Sequence, residues 1–421
     1  MKNITLLTGY LSNNTAGNRR IVYWVNYLFE LGYKVTIITS DHFLDESVYQ
    51  EIPKDIVIYE LNFFSITVFK GPTKKQGTPT IGNISTGLLL LKEIKTKIIT
   101  KYLGQSFDLR VLYCLPLFYY LLLAKFDKGR LAFFNKTDIV ISSCPPYYTH
   151  LWGLLVKFFF KVKMVADYRD QFSENTTYTQ SLVWLDRFID KKIVAYSDIT
   201  TTISKPMNNY YANWNENTHL IYNGYDDKKF SDIDYQPIRL NEVKEINYFG
   251  QINNVTRIPY PLLDFLELNK TVNMKFNFYG DCGFLRDIIE KDYYEIKPLF
   301  LFHGQLKAQE ALLKMRTSDV NMILEKLDAV SFSELGTLPT KGFEYVASCR
   351  PIIAVCSQES ELSIFLKNSG LLLGIISNAE DAIKVFDKFN TPLNFEPNEN
   401  FIKSFSREES TQKFENILKN L

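Results

Sequence analysis

The sequence predicts an α/β protein with two doubly wound parallel sheets facing a cleft. Short β-like runs alternate with longer helical ones, the pattern of strands joined by crossover helices. The alternation lapses over 226–243 and then restarts. A length of 421 residues, 46% hydrophobic and 23% charged, supplies enough apolar material for two domains.

In chain order, "ITLLTGY" (4–10) reads as a strand, "RRIVYWVNYLFELGY" (19–33) as a helix stopped by Gly32, and "KVTIITS" (34–40) as a strand. The strand "DIVISS" (138–143), the helix "YYTHLWGLLVKFFF" (147–160) and the strand "KMVADYRD" (163–170) follow. The long helix "TQSLVWLDRFIDKKIVAYS" (179–197) leads to "DITTTIS" (198–204) and "HLIYNGY" (219–225). The second series runs "EINYFG" (245–250), "KFNFYGDCG" (275–283), "LFLFHGQL" (299–306), "DVNMILE" (319–325) and "PIIAV" (351–355), with helices between. The tail "SREESTQKFENILKNL" reads as an amphipathic helix. The expected division is a first domain over 1–226, a linker over 227–243, a second domain over 244–400, and a C-terminal helix over 401–421 that crosses back to the first domain.

Composition excludes several classes. A net charge of +1 with no long basic run gives no footing for nucleic acid. Five scattered cysteines without CxxC spacing read as free thiols in a reducing cytoplasm, and four scattered histidines give no metal site. The N-terminal apolar run is too short for a signal peptide. The longest uncharged apolar stretch, 111–124, has fourteen residues and contains Pro116. A spanning helix needs about twenty. Aromatic residues make up 15% of the chain, as sugar-stacking platforms or as an ordinary core.

Four segments suggest chemistry. "TGYLSNNTAGNRR" (8–20) is polar and glycine-bearing but is not GxGxxG, so a dinucleotide cofactor is not expected. Gly17 would allow close backbone approach, and Arg19 and Arg20 open a helix whose amides favour anions, unless they form only a solvated basic start. "SSCPPYYTHLWG" (142–153) sets His150 in the first turns of a helix at a strand's end, as a site residue or a structural one. "ADYRDQF" (166–172) gathers Asp167, Arg169 and Asp170 at another strand end, as a site or a loop brace.

The fourth segment is the most informative. In "GTLPTKGFEYVASCRPIIAV" (336–355), a helix beginning near Pro339 puts Lys341 and Glu344 on one face. A lysine among free helix-terminal amides suits phosphate, and a carboxylate one turn on can accept from a ribose diol. Together they suit a nucleoside diphosphate. The bland reading is an exposed i,i+3 ion pair worth about 0.2–0.5 kcal/mol.

The same segment resembles the donor-binding motif of family-4 retaining glycosyltransferases with the GT-B fold, especially those building bacterial surface polysaccharides. "TAGNRR" is similar to their acceptor-side loop, and "SSCPPYYTHLWG" and "VADYRDQF" to their inner motifs. "LIYNGYDDKKF" (220–230) is similar to the stretch closing the first domain, and "NYFGQI" (247–252) to the opening strand of the second. The resemblance implies two Rossmann-like domains. It assigns Glu344 to the ribose, Lys341 and Arg257 to the diphosphate, and His150 to the donor sugar as catalytic residues of the cleft. It sets Gly304 by the nucleobase and Thr340 and Gly336 on the donor side, with Gly17, Arg19 and Asp170 on the acceptor side.

Two positions depart from the family pattern. Gly336 stands where many members carry a second glutamate, with Glu334 out of register, and Cys349 replaces the customary helix-ending glycine.

The expected activity is sugar transfer with retention from a nucleotide diphosphate sugar to a saccharide or lipid-linked acceptor. No cofactor or metal is implied, because the side chains would stabilise the leaving diphosphate. The alternatives are a non-catalytic nucleotide-binding partner subunit of the same fold and a nucleotide-sugar 2-epimerase. Three runs, "PLFYYLLLAKF" (116–126), "LLVKFFFKVK" (154–163) and "LVWLDRFIDKK" (182–192), set bulky apolar residues beside cations. They predict peripheral contact with an anionic membrane, and hence a cytoplasmic protein at its inner face.

Overall fold

Period-two alternation of apolar residues builds the first sheet. Ile4 and Leu6 of β1 (Asn3–Tyr10) enter one core and Leu7 the other; Ile139 and Ile141 of β5 (Ile139–Cys144) do the same on either side of Val140. The remaining strands are β2 (Lys34–Asp41), β3 (Val57–Leu61), β4 (Ile66–Lys70), β6 (Lys163–Tyr168), β7 (Ile199–Thr202) and β8 (Thr218–Leu220). Their order is β4-β3-β2-β1-β5-β6-β7-β8, and only the β3–β4 pair is antiparallel. Helix Ala16–Glu30 covers one face with Phe414 and Leu418 of the C-terminal helix, and Phe414 stacks on Trp24 at 3.8 Å. Helices Cys114–Lys125, Tyr148–Phe160 and Val183–Tyr196 cover the other.

The chain divides into two compact units: Met1–Asn223 with Thr411–Leu421, and Gly224–Ser410. This computed structural model describes residues 2–11, 16–41, 51–61, 66–70, 114–129, 131–173, 175, 183–230, 245–253, 255–269, 272, 274–390 and 395–421.

The second unit holds a wholly parallel sheet of β9 (Glu245–Phe249), β10 (Lys275–Tyr279), β11 (Phe300–Gly304), β12 (Val320–Leu324), β13 (Ile352–Val355) and β14 (Leu372–Ile376). The order is β11-β10-β9-β12-β13-β14. This is the doubly wound 3-2-1-4-5-6 arrangement, whose strand order reverses between β9 and β12, where such sheets bind ligands. Two Rossmann-like parallel-sheet domains therefore make up a GT-B-like α/β architecture.

Some elements differ from the sequence reading. Strands β3, β4 and β14 were not among the expected runs. Gly374 lies inside β14, where Val385 Cγ2 is 2.4 Å from the place of a Cβ, and a mid-strand glycine weakens the strand signal. The amphipathic helix read over 406–421 is Arg407–Lys419, and a short helix, Glu399–Lys403, precedes it within the expected C-terminal segment. Between them Ser406 bridges to Tyr225, and Arg407 N–H donates to the Tyr225 carbonyl at 2.8 Å, which stops one helix before the next begins. Within the expected linker, Asp227–Lys229 form one 3-10 turn, and 231–243 lie outside the described residues.

Candidate donor site of the second unit

Helix Thr340–Ala347 starts at Pro339 and buries Gly342, Phe343, Tyr345 and Val346. Its tie to the sheet is specific: the Phe249 N–H donates to the Tyr345 hydroxyl at 2.9 Å, which brings the helix start to the end of β9. Two glycines lie there, and Gly280 meets backbone where Gly250 meets only side-chain ends. At Gly250 a Cβ would lie 2.4 Å from the Tyr248 hydroxyl oxygen and 2.9 Å from Lys341 Nζ. At Gly280, with φ +132, a Cβ would lie 1.9 Å from the Gly250 carbonyl oxygen. The strand ends thus stack backbone on backbone, leaving the Lys341 ammonium directly over the turn after β9.

Arg257, at the end of the 3-10 turn Val255–Arg257, donates through Nη2 to Glu325 Oε1 at 2.8 Å. Glu325 follows β12, so the pair sits at the carboxyl end of the sheet's reversal point. Lys341 lies in the same field: its surroundings lower its pKa chiefly by desolvation, although the side chain is exposed, while Glu344 raises it and Arg257 lowers it. Glu344 is half-buried, and its pKa is raised by desolvation against the pull of Arg407, Lys341 and Lys229. Among the described residues neither Lys341 nor Glu344 closes an ion pair, so the bland reading of that spacing is not what the helix shows.

Of the other donor-side residues, Thr340 is the first helical residue and half-buried. Gly304 ends β11 at φ +74 with open space where a side chain would be, its carbonyl accepting from Gly280 N–H at 2.7 Å. Gly336 is buried just after the turn Phe332–Leu335. Glu334 is engaged with Lys326 at 2.6 Å, and its pKa is lowered to about 2, first by that hydrogen bond. Cys349 adopts φ +53 after the helix, the left-handed C′ conformation that glycine normally supplies.

The first unit presents its predicted residues differently. His150 is fully buried; Nδ1 is 2.7 Å from the Ser142 hydroxyl, and the ring lies 4.4 Å from that of Tyr168. Among the described residues Nε2 has no partner, and burial lowers the pKa to about 3, so the imidazole is neutral. Arg20 and Asp167 form a buried pair at 3.0 Å. Asp167 also accepts from Ser143 and Thr201 at 2.7 and 2.8 Å, and Arg20 donates to the Ile221 and Tyr222 carbonyls. Arg169 braces the proline turn through the Cys144 and Pro145 carbonyls. Gly17 lies in the first turn of its helix, Arg19 pairs with Glu51, and Asp170 is exposed beyond β6. Residues 12–15 of the expected acceptor loop lie outside the described residues.

Among the described residues no three His, Cys, Asp or Glu side chains gather as a metal site. No described helix is long and apolar enough to cross a membrane.

No family model matches this chain, and no curated protein matches it. Solved structures do. A glycosyltransferase from Rickettsia africae superposes with a TM-score of 0.60 at 14% identity, covering 100% of this chain and 99% of that one. Anabaena HepE in complex with UDP-glucose gives 0.58 at 11%, covering 100% of both chains. Sucrose-phosphate synthase from Thermosynechococcus elongatus gives 0.56 at 12%, covering 100% and 99%. The shared property is the fold.

Sequence reasoning missed Glu325, the partner of Arg257, and the charges of Arg407, Lys229 and Asp226 that act on Glu344. Glu325 was signalled by a charge directly after a strand. Those charges were not, because Arg407 is 63 residues from Glu344 (407 − 344) and follows the Tyr225–Ser406 bridge.

Proposed function

We propose that this protein transfers a sugar, with retention, from a nucleotide diphosphate sugar to a saccharide or lipid-linked acceptor in polysaccharide or glycolipid synthesis, as a family-4 glycosyltransferase. The observation that carries this is Lys341 over Gly250, beside Arg257–Glu325 and one turn before Glu344, at the sheet's reversal point. Support comes from the fold shared with HepE, which was solved with UDP-glucose.

In this reading the diphosphate lies at the helix start against the Thr340 amide and Lys341, with Arg257 as second cation. Glu344 accepts from the ribose hydroxyls, and Gly304 leaves room for the base, with Gly336 on the sugar side. As the C1–O bond to the diphosphate breaks, negative charge grows on the leaving oxygen, where a preplaced ammonium and guanidinium stabilise it most. The acceptor oxygen bonds C1 on the same face and passes its proton to the departing diphosphate oxygen. His150 is assigned to the donor sugar, Gly17, Arg19 and Asp170 to the acceptor side. An acceptor carried on lipid places the enzyme at the inner face of a membrane.

A second reading is favoured by Gly336, which supplies no carboxylate, and by Glu334, already engaged with Lys326. It is a nucleotide-binding partner subunit without turnover. A nucleotide-sugar panel with cell-derived lipid-linked acceptor separates the two. Transfer requires release of free nucleotide by the native chain and its loss in Glu344→Ala with unchanged melting. Binding without release assigns the partner-subunit role, and no binding removes both.

A further inference from the structure

The helices Cys114–Lys125, Tyr148–Phe160 and Val183–Tyr196 lie side by side on one face of the first unit's sheet, contributing Leu121, Trp152 and Ile193 to a common core. Their outer sides are unusual. A surface helix normally turns polar residues outward. Helix Cys114–Lys125 instead exposes Phe118, Tyr119 and Leu122, and Phe126 just beyond it is 69% exposed. Trp184 is 70% exposed and Phe158 59%.

Scattered exposed apolar residues need no explanation, but a contiguous patch does. Here ring contacts cross from helix to helix. Phe118 meets Phe159 edge-on at 5.1 Å, joining the first helix to the second. Phe158 meets Tyr196 at 5.7 Å, joining the second to the third.

Charge is sorted across the same helices. In Val183–Tyr196 both acids point inward: Asp186 and Asp190 are buried, and Asp190 accepts from Tyr168, Tyr211 and Ser173. Arg187, Lys191 and Lys192 are exposed, with Lys192 Nζ 5.6 Å from the Phe188 ring and 5.8 Å from that of Tyr196. Lys125 and Lys161 are exposed at the ends of the other two helices. Asp198 is neutralised by Lys157 and Lys163, and Asp127 is an exposed acid at the margin. Aromatic rings interleaved with cations suit the boundary between acyl chains and anionic headgroups, where rings enter the apolar layer and cations stay at its surface.

We propose that this three-helix face docks the protein on an anionic lipid surface, Trp184, Phe158 and Phe126 inserting and Lys191, Lys192 and Arg187 meeting headgroups. This deepens the reading of a membrane-side acceptor and rests on it for its purpose. The test uses the full chain and vesicles of phosphatidylcholine alone or mixed with phosphatidylglycerol. The native protein is expected to sediment with the anionic vesicles at low ionic strength and to be partly released by high salt. Trp184→Ala with Phe188→Ala should lower partitioning about tenfold. Lys191→Glu with Lys192→Glu should lower it at least as much and remove most of the salt dependence. Melting should be unchanged in both, since the replaced side chains are exposed. Equal recovery in the supernatant with neutral and anionic vesicles would overturn the proposal. So would vesicle binding that both double variants retain, or a concentration-dependent dimer that they disperse, which would assign the face to a second copy. Vesicle binding needs no nucleotide and nucleotide titration needs no vesicle, so failure here is distinguishable from failure of the donor site.

Discussion

The two units place charge at the carboxyl ends of their sheets in opposite ways. In the first, Arg20 and Asp167 are buried and paired, with Ser143, Thr201 and two carbonyls bonded to them. In the second, Arg257 keeps 41% of its side chain exposed beside Glu325, and Lys341 is exposed. Enclosed charge of the first kind fixes strands and helix in register, and what it leaves unbonded, Arg20 Nε, is shut away from solvent. Charge held at a surface by one partner or none can exchange water for a ligand. The same architecture thus uses ion pairs for structure in one unit and leaves cations available in the other.

The largest effect should come from breaking the enclosed pair. Asp167→Asn leaves a buried guanidinium uncompensated, and loss of one member of such a pair costs about 3–5 kcal/mol. Thermal and urea unfolding should show a deep loss. The counterpart in the second unit, Glu325→Gln, should cost about 1 kcal/mol or less, since Arg257 can turn to solvent. Equal losses from the two substitutions would erase the distinction between the units.

Acid should sharpen it. The folded pKa of His150, about 3, lies below its ordinary value of 6.5, so the unfolded chain takes up a proton that the folded chain refuses. Its contribution is therefore complete above the ordinary histidine range and lost as pH falls, by up to about 1.4 kcal/mol per pH unit. His150→Gln should melt with a shallower pH dependence between neutrality and pH about 4. Asp190, pushed up to about 6 mainly by burial, works in the opposite sense but is common to both proteins, so the difference between them isolates His150. Identical slopes would mean the imidazole is not enclosed.

Most of this contrast was not legible in the sequence. Most strands of both sheets were, because buried parallel strands read as apolar runs between helices, while β3, β4 and β14 were not. Lys341 and Glu344 were too, since three-residue spacing fixes a helix face wherever the helix lies. Burial was not. Arg19 and Arg20 are neighbours, yet helical geometry sends Arg20 into the core to Asp167 and Arg19 outward to Glu51. Likewise Asp167 is enclosed and bonded, while Asp170 lies past the end of β6 on an exposed residue whose carboxyl is still pushed up to about 6 by desolvation.

The smallest expected effect concerns the end of helix Thr340–Ala347. Cys349 holds φ +53 without help from a glycine, so Cys349→Gly should stabilise the protein by about 0.5–1 kcal/mol through relief of left-handed strain. Differential scanning calorimetry would show a small upward shift in melting with unchanged nucleotide affinity. A downward shift would mean that the cysteine side chain contributes more than its backbone costs.

The central claim is that the cations of the second unit await a diphosphate. Calorimetric titration of the native chain and Lys341→Met with UDP, GDP and ADP, and with the matching monophosphates, tests it most directly. At least one diphosphate should bind the native chain more tightly than its monophosphate. Lys341→Met, with unchanged melting, should lose about tenfold or more of that preference, as expected for one charge-assisted hydrogen bond. Equal diphosphate affinity in a folded Lys341→Met protein, or no diphosphate binding to the native chain, would contradict the account.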